Sequence, residues 1–222
     1  MTVKNLIIAP SILSADFLHL ADQIRIVEDA GADWLHLDVM DGHFVPNLSM
    51  GPDIVAACRR ATRLPMDVHL MVKDPDGLLS AFAKAGADHL TVHIEASDHI
   101  FETLAQIHAL GLKAGISLKP ATPISSINSV LPHVDGVLVM SVDPGYSGQK
   151  FQPGTIDRLA EVRLAMDKLG SNAWLAVDGG INKQTLPLVH AAGANVFIAA
   201  SAIFQNPEGI STAIRTLREE LD

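Results

Sequence analysis

Short runs of alternating hydrophobic and polar residues recur along the chain and predict strands. In residues 34–39, WLHLDV, three apolar side chains fall on one parity, and His36 and Asp38 fall on the other. Side chains of a strand alternate between its two faces, so one face is apolar and the other carries an imidazole and a carboxylate about 7 Å apart. Similar runs predict seven more strands, at residues 6–11, 66–71, 89–94, 113–118, 136–141, 174–179 and 195–200.

Apolar residues at helical spacing separate these runs. One series, with spacings of four and three, comprises Leu20, Ile24 and Val27. A longer series, with spacings of three, four and three, comprises Leu159, Val162, Met166 and Leu169. Each series predicts a helix that buries one face.

A short motif marks the joint between helix and strand three times. AGAD occurs at residues 30–33 and 85–88, and AGAN occurs at 192–195. Glycine commonly ends helices because it adopts positive φ without strain, so each motif predicts a helix end followed by a strand. Three copies of one joint indicate a repeated βα unit.

Eight such units in 222 residues predict a (β/α)₈ barrel, a TIM barrel with eight parallel strands, in one domain over residues 1–222. A doubly wound open sheet is the alternative. Active sites of these barrels lie at the carboxyl ends of the strands. Polar residues do end the predicted strands here: Ser11, Asp38, His69, His93, Ser141, Asp178 and Ser201.

Composition narrows the class of protein. Hydrophobic residues make up 48% of the chain, enough for a large core, and the net charge of −9 argues against a general nucleic-acid or anionic-membrane surface. Cys58 is the single cysteine, which suits a reducing compartment. The N-terminal stretch is too short and polar for a signal peptide, and no run reaches a membrane span of about 20 residues. We therefore expect a cytoplasmic protein, and we expect a homo-oligomer because apolar segments remain for its surface.

A candidate metal site emerges from parity on two neighbouring strands and the end of a third. His and Asp share one face of the second strand, the third strand repeats the pattern, and the seventh ends in an aspartate. Two imidazoles and two carboxylates suit one divalent ion such as Zn²⁺, Fe²⁺, Mn²⁺ or Co²⁺. The alternative is that these are hydrogen-bonded core residues. For His93, a hydrogen-bonded residue at the barrel mouth is the favoured interpretation. The candidate ligands are His36, Asp38, His69 and Asp178.

Three glycine-containing or small-residue turns follow strands six, seven and eight, at residues 143–149, 178–182 and 199–204. Such turns bind phosphate through backbone N–H groups and a helix N-terminus, without lysine or arginine. Candidate residues are Gly179, Gly180, Ala200 and Ser201, although each could simply form a tight turn. Three strand-ending methionines, Met40, Met71 and Met140, are either core fillers or a cover that excludes water from the site.

Seven segments, in order along nearly the whole chain, resemble the ribulose-phosphate 3-epimerase family. They are APSILSADF (9–17), HLDVMDGHFVPN (36–47), DVHLMV (67–72), KPATP (119–123), PGYSGQKF (144–151), VDGGIN (177–182) and SAIF (201–204). The resemblance implies a (β/α)₈ barrel that interconverts ribulose 5-phosphate and xylulose 5-phosphate in the pentose phosphate pathway. It implies a sugar phosphate as the small-molecule partner.

The same resemblance implies a role for each matching residue. Asp38 would accept a proton and Asp178 would donate one, with both also binding the metal alongside His36 and His69. Ser11 and His69 would contact substrate, and the three methionines would line the cavity. The phosphate end would be surrounded by Gly145, Tyr146, Ser147, Gly148, Gly179, Gly180, Ala200 and Ser201.

Departures from the family pattern leave the substrate open. They are Asp143, Tyr146 and Ser147 in the turn after strand six, Lys119 in place of Asn, and Ala200 in place of Gly. Asp143 and Ser147 are also similar to allulose-6-phosphate 3-epimerases, which are the alternative. A non-catalytic sugar-phosphate barrel is disfavoured, because binding alone needs no carboxylate on each side. The third strand lacks the lysine that decarboxylases of related barrels use.

The chemistry explains the ionisable pair on the second strand. Epimerisation beside a ketone removes a proton from one face of the carbon and returns one to the other, so two acid–base groups are needed. A divalent cation acts as a Lewis acid and stabilises the negative charge of the enediolate. Asp38 and Asp178 are the candidate acid–base pair.

Overall fold

The eight predicted strands are all present in a computed structural model, which describes residues 6–221. Their bounds are β1 Ile7–Pro10, β2 Leu35–Met40, β3 Met66–Met71, β4 His89–His93, β5 Lys113–Leu118, β6 Gly136–Met140, β7 Trp174–Asp178 and β8 Val196–Ala199. All pair in parallel, in the order β1-β8-β7-β6-β5-β4-β3-β2. A parallel bridge between Ser11 and His36 joins β1 to β2. The (β/α)₈ barrel is confirmed, and the open doubly wound sheet is wrong.

Helices connect the strands on the outside of the barrel. They are α1 Leu20–Asp29, α2 Pro52–Ala61, α3 Asp76–Ala85, α4 Ile100–Ala109, α5 Thr155–Lys168, α6 Leu186–Ala191, α7 Ser201–Phe204 and α8 Ile210–Glu219. The β5–β6 connection differs, because it consists of two short 3₁₀ segments, Ile124–Ile127 and Leu131–His133. Pro132 lacks an N–H group, so a single α-helix could not run through this connection undisturbed.

Both helical series lie where the spacing predicts, with one exception. Ile24 and Val27 are buried in α1, and Leu159, Val162 and Met166 are buried in α5. The prediction that Leu169 extends the buried face of α5 is wrong, because Leu169 follows the end of the helix and is 52% exposed.

The repeated glycines end their helices as predicted. Gly31, Gly86 and Gly193 have φ of +88°, +101° and +102°, in the left-handed region that favours glycine. Space is limiting at two of them. A Cβ on Gly86 would lie 2.7 Å from Cγ of Arg59, and one on Gly193 would lie 2.7 Å from Cγ of Arg163.

The two faces of the strands pack into different surroundings. The outward side chains, such as Leu35, Leu37 and Val39, join the large core between barrel and helices. Inside the barrel, a smaller apolar cluster comprises Ala9, Leu138, Met140, Ala176, Val196 and Ile198. Most inward residues of β2 to β4 are polar and buried instead, among them His36, Asp38, Asp67, His69, Thr91 and His93. The inward residues Met40 and Met71 end their strands.

Some predictions lie outside what this architecture tests. Residues 1–5, the start of the stretch judged unlike a signal peptide, and residue 222 lie outside the described residues. Within residues 6–221, no helix is long and apolar enough to cross a membrane. The single domain and the homo-oligomer stay predictions, the first supported by one sheet that takes strands from the whole described chain.

Candidate active site

The centre of the site is built by the register of β2 against β3. Asp38 lies opposite His69, and His36 lies opposite Asp67. All four side chains point into the barrel because they share one parity. Asp38 Oδ1 lies 3.2 Å from Nε2 of His36 and 3.0 Å from Nδ1 of His69. One carboxylate oxygen is thus held between two ring nitrogens.

Asp178 approaches the same point from the end of β7, across the barrel mouth. One potential ligand atom from each of His36, Asp38, His69 and Asp178 lies within 4.8 Å of all the others. The four predicted metal ligands are therefore brought together. The three histidine and aspartate side chains from β2 and β3 are buried, while Asp178 is partly exposed.

Hydrogen bonds hold His36 and Asp38 from behind. Nδ1 of His36 lies 2.9 Å from Oδ2 of Asp67, whose other oxygen accepts a hydrogen bond from Thr91 Oγ1 at 2.8 Å. Ser11 Oγ donates to Asp38 Oδ2 at 2.5 Å. Ser11 is buried behind Asp38, so its predicted contact with substrate stays a prediction.

A second chain of contacts leads from His69 toward the surface. Nε2 of His69 lies 2.9 Å from Nε2 of His93, and Nδ1 of His93 lies 3.0 Å from Oε2 of Glu95. Glu95 Oε1 accepts hydrogen bonds from Lys119 N–H, at 2.8 Å, and from the Thr122 hydroxyl. His93 is thus hydrogen-bonded, as predicted, and it is also fully buried.

The two aspartates of the site have pKa values shifted in opposite directions. Burial and the nearby carboxylate of Asp38 raise the pKa of Asp178 to about 7. Burial alone would raise the pKa of Asp38, but the imidazoles of His36 and His69 hold it well below its usual value. Burial would likewise lower the pKa of His36, yet Asp38 and Asp67 raise it well above its usual value. In the metal-free protein, Asp38 is therefore ionised near neutral pH, whereas a substantial fraction of Asp178 keeps its proton.

A cavity of about 50 Å³ opens above these groups at the carboxyl ends of the strands. Thirteen predicted site residues line it: Asp38, Met40, Met71, Met140, Gly145, Tyr146, Ser147, Gly148, Asp178, Gly179, Gly180, Ala200 and Ser201. Ser11, His36 and His69 lie behind this wall rather than in it. The three methionines are buried and also line the cavity, so their role as a cover that excludes water stays a prediction.

The turn after β7 has a structural need for its glycines. Gly179 and Gly180 have φ of +112° and +62°. A Cβ on Gly179 would lie 2.6 Å from Ser141 Oγ, and one on Gly180 would lie 2.6 Å from the backbone nitrogen of Phe151. The tight-turn interpretation is therefore sufficient for these residues, and their phosphate role stays a prediction.

The loop after β6 crosses the mouth and is tied to two other loops. Ser147 Oγ lies 2.5 Å from Ser14 Oγ, after β1. Asn47 Nδ2, after β2, donates to the carbonyl of Gly145 at 2.8 Å. Tyr146 is 57% exposed on this loop, although it borders the cavity.

Sequence reasoning missed several residues of the site. Asp67 shares the parity of His69, a signal that was available, but Glu95 and Asn47 lie on loops where periodicity gives none. Apolar or neutral residues also complete the cavity wall: Leu13, Val142, Pro144, Gln149, Ile181 and Ile198.

Comparison with known proteins assigns the family. Residues 7–204 match the ribulose-phosphate 3 epimerase family. The chain belongs to the ribulose-phosphate 3-epimerase family. A ribulose-phosphate 3-epimerase of Bacillus subtilis is 52% identical over 198 residues, covering 89% of this chain and 91% of the relative. One of Escherichia coli K12 is 46% identical over 220 residues, covering 99% and 97%.

Members of this family are epimerases, so the prediction of an isomerase is confirmed. Solved structures extend the likeness of the fold beyond the family. KGPDC from Streptococcus mutans has a TM-score of 0.71 at 15% identity and covers 98% of each chain. A 3-hexulose-6-phosphate synthase has a TM-score of 0.71 at 19% identity, covering 97% of this chain and 99% of the other. Barrels of this shape are therefore shared well outside the family.

Proposed function

We propose that this protein inverts C3 of ribulose 5-phosphate to give xylulose 5-phosphate, a reaction of the pentose phosphate pathway. One observation carries the proposal beyond family membership. Asp38 and Asp178 approach one cavity from β2 and β7, and their pKa values are shifted in opposite directions. Paired groups whose surroundings separate their pKa values are typical of an acid and a base.

The starting protonation states suit a two-base epimerisation. Asp38 is ionised and accepts the C3 proton from one face of the substrate, and Asp178 carries a proton that it donates to the other face. In the reverse direction the two groups exchange roles. A single base would tend to return the proton to the face from which it came, so the second carboxyl group is required for inversion.

The assignment of donors and acceptors around His36 supports a cation at the centre of the site. Asp67 accepts a hydrogen bond from Thr91 and, as an ionised carboxylate, has no proton to donate to His36. His36 therefore carries a proton on Nδ1, which leaves the lone pair of Nε2 facing the Asp38 carboxylate at 3.2 Å. Two acceptors at this distance need a positive charge between them. A second proton on His36 supplies it in the metal-free protein, consistent with the raised pKa of His36.

A divalent cation fits the same place. His36, His69, Asp38 and Asp178 offer two nitrogens and two oxygens, a ligand set suited to Zn²⁺, Fe²⁺, Mn²⁺ or Co²⁺. When bound, the cation would supply Lewis-acid stabilisation of the negative charge that develops on an enediolate. Asp67 would orient His36 toward it from behind.

The loops at the mouth suit the phosphate end of the substrate. The helix α7 begins at Ser201, and the first N–H groups of a helix lack partners within it. Together with Gly179, Gly180 and the loop of Gly145 to Gly148, this end of the cavity offers backbone donors rather than side-chain cations. That arrangement agrees with the net charge of −9.

Two further expectations accompany this function. We keep a cytoplasmic location as the expected one, because Cys58 is a single, buried and free thiol. We also keep a homo-oligomer as the expected assembly, since Leu18 and Leu48 are 89% and 76% exposed. Gel filtration with light scattering would measure the assembly.

Proton NMR in D₂O tests the reaction. The protein is loaded with Zn²⁺ or Fe²⁺, and ribulose 5-phosphate and allulose 6-phosphate are offered in separate tubes. We expect loss of the C3 proton signal and formation of xylulose 5-phosphate in the first tube, abolished by a chelator. Faster exchange in the second tube would instead favour the allulose 6-phosphate epimerase. Exchange in neither tube, with metal bound, would leave a binding barrel and refute the mechanism.

A further inference from the structure

We propose that Glu95, acting through His93, is a positioning residue that determines which nitrogen of His69 is free to bind the divalent cation. The inference rests on the proposed metal site. It concerns a carboxylate outside the ligand cluster, on the loop between β4 and α4, that is separated from His69 by a second imidazole.

The donor and the acceptor of each hydrogen bond between Glu95, His93 and His69 can be assigned by starting from Glu95. Oε1 of Glu95 accepts from Lys119 N–H and from the Thr122 hydroxyl, so it is an acceptor for two donors. An ionised carboxylate has no proton to donate, so Oε2 also acts as an acceptor. The partner of Oε2 is Nδ1 of His93, at 3.0 Å, and this nitrogen must carry the proton.

The inner end then has one arrangement. A neutral imidazole has one N–H group and one lone pair, so His93 presents the lone pair of Nε2 to His69. Nε2 of His69, at 2.9 Å, must be the donor. With a cation in the ligand cluster, the His69 proton therefore lies on Nε2, on the side away from Asp38, and the lone pair of Nδ1, 3.0 Å from Asp38 Oδ1, is free to bind that cation.

Packing restricts the rings to this arrangement. His93 is fully buried, its ring lies 4.9 Å from that of His69, and Phe44 lies 4.8 Å from it on another side. Lys119 Nζ in turn lies 3.8 Å from the centroid of the Phe44 ring. The rings cannot turn freely, so reversing a hydrogen bond requires moving protons rather than side chains.

The two metal-binding imidazoles are thus oriented by different means. His36 contacts the carboxylate of Asp67 directly, whereas His69 reaches the carboxylate of Glu95 through His93. Outer contacts of this kind fix the tautomer of a ligating histidine, and their loss typically lowers metal affinity about 10- to 100-fold. Glu95 should therefore matter for metal binding although it touches neither the metal cluster nor the cavity wall.

The substitution Glu95→Gln makes a sharp test because it changes one acceptor into a donor. The amide oxygen of glutamine should take the position of Oε1, where Lys119 N–H and the Thr122 hydroxyl both donate. Its NH₂ group then faces His93 Nδ1, which must become an acceptor. His93 moves its proton to Nε2, and His69 Nε2 loses its acceptor.

The experiment measures tautomers and metal affinity in the full chain. Long-range ¹⁵N–¹H NMR of histidine-labelled, metal-free protein reads the His93 tautomer, and competition with a chromophoric chelator gives the Zn²⁺ affinity. We expect the Nδ1–H tautomer in the parent protein, the Nε2–H tautomer in Glu95→Gln, and a loss of Zn²⁺ affinity of about 10- to 100-fold in that variant. Glu102→Gln, an exposed position in the first turn of α4, is the matched control and should change neither quantity.

Two outcomes would overturn the inference: a parent protein with the proton on His93 Nε2, or a Glu95→Gln variant with unchanged Zn²⁺ affinity. If Glu95→Gln does not fold, His93→Phe keeps a buried ring without nitrogens and should show the same loss of Zn²⁺ affinity. A parent protein that binds no Zn²⁺ would instead refute the proposed metal site. The two failures are therefore distinguishable.

Discussion

The two halves of the barrel interior are built from the same βα unit but have opposite character. Strands β2 to β4 point buried imidazoles, carboxylates and a threonine hydroxyl inward, and these side chains hydrogen-bond to one another. Strands β6, β7, β8 and β1 contribute the apolar cluster that includes Leu138, Ala176 and Ile198. The polar half can orient ligands, whereas the apolar half offers shape and a dry wall.

The boundary between these halves sets the difference between the two aspartates. Asp38 lies in the polar half, where His36 and His69 stabilise its charge and lower its pKa. Asp178 ends β7, beside Met140 and Ile198 of the apolar half, where burial and the charge of Asp38 raise its pKa to about 7. One residue type thus has two different pKa values because its surroundings differ.

The largest expected effect comes from removing either aspartate. Asp38→Asn and Asp178→Asn should each lower the epimerisation rate by about 10² to 10⁴ or more, because an amide cannot transfer the proton. Circular dichroism should show that both variants fold. Near-parent turnover of either variant, measured by the coupled formation of xylulose 5-phosphate, would contradict the two-base assignment.

One substitution in each half tests whether the apolar half contributes mainly to stability and the polar half mainly to metal binding. Leu138→Ala in the apolar half should cost about 2–5 kcal/mol of unfolding free energy, measured in urea, with Zn²⁺ affinity unchanged. Asp67→Asn in the polar half should lower Zn²⁺ affinity about 10- to 100-fold, because the charged acceptor of the His36 Nδ1 proton becomes a neutral amide. Comparable losses of Zn²⁺ affinity in both variants would remove the distinction.

The raised pKa of Asp178 predicts a pH effect on the metal-free protein. Between the ordinary value of 3.8 and about 7, the folded chain holds a proton that the unfolded chain releases. This group therefore makes the unfolding free energy fall as pH rises through that interval. Urea unfolding at pH 5 and pH 7.5 with chelator present should show a shallower fall for Asp178→Asn than for the parent. Equal falls in the two proteins would argue against the raised pKa.

The smallest expected effect concerns the loop across the mouth. Ser147→Ala removes the contact between the hydroxyl groups of Ser147 and Ser14, which is exposed. Its loss should lower the free energy of unfolding, measured in urea, by about 0.5–1.5 kcal/mol. Ser14→Ala should have the same effect, and the double variant should lose no more than either single one. Additive losses would show that the two hydroxyl groups act separately.

The strands and the four clustered ligands could be predicted from the sequence, because they follow from the alternation of side chains along a strand and from the positions of strand ends. Residues two apart share a face, and parallel register then sets Asp38 beside His69. Glu95 could not be found in this way. Its role depends on Lys119, 24 residues along the chain, and on His93, whose ring position is set by packing rather than spacing. The bridge between Ser11 and His36 likewise depends on closure of the whole sheet.

That bridge joins β1 and β2, the two ends of the strand order, so the barrel closes beside His36 and Asp38 of the candidate site. Separating β1 from β2 there would pull Ser11 from Asp38, one of the clustered residues. A bound cation would connect β2, β3 and β7 through its ligands and so stabilise this side of the barrel. Hydrogen exchange of the β1 and β2 amides should consequently slow when the cation is bound. The exchange rate at the junction of β1 and β2 would then report how much of the site is occupied.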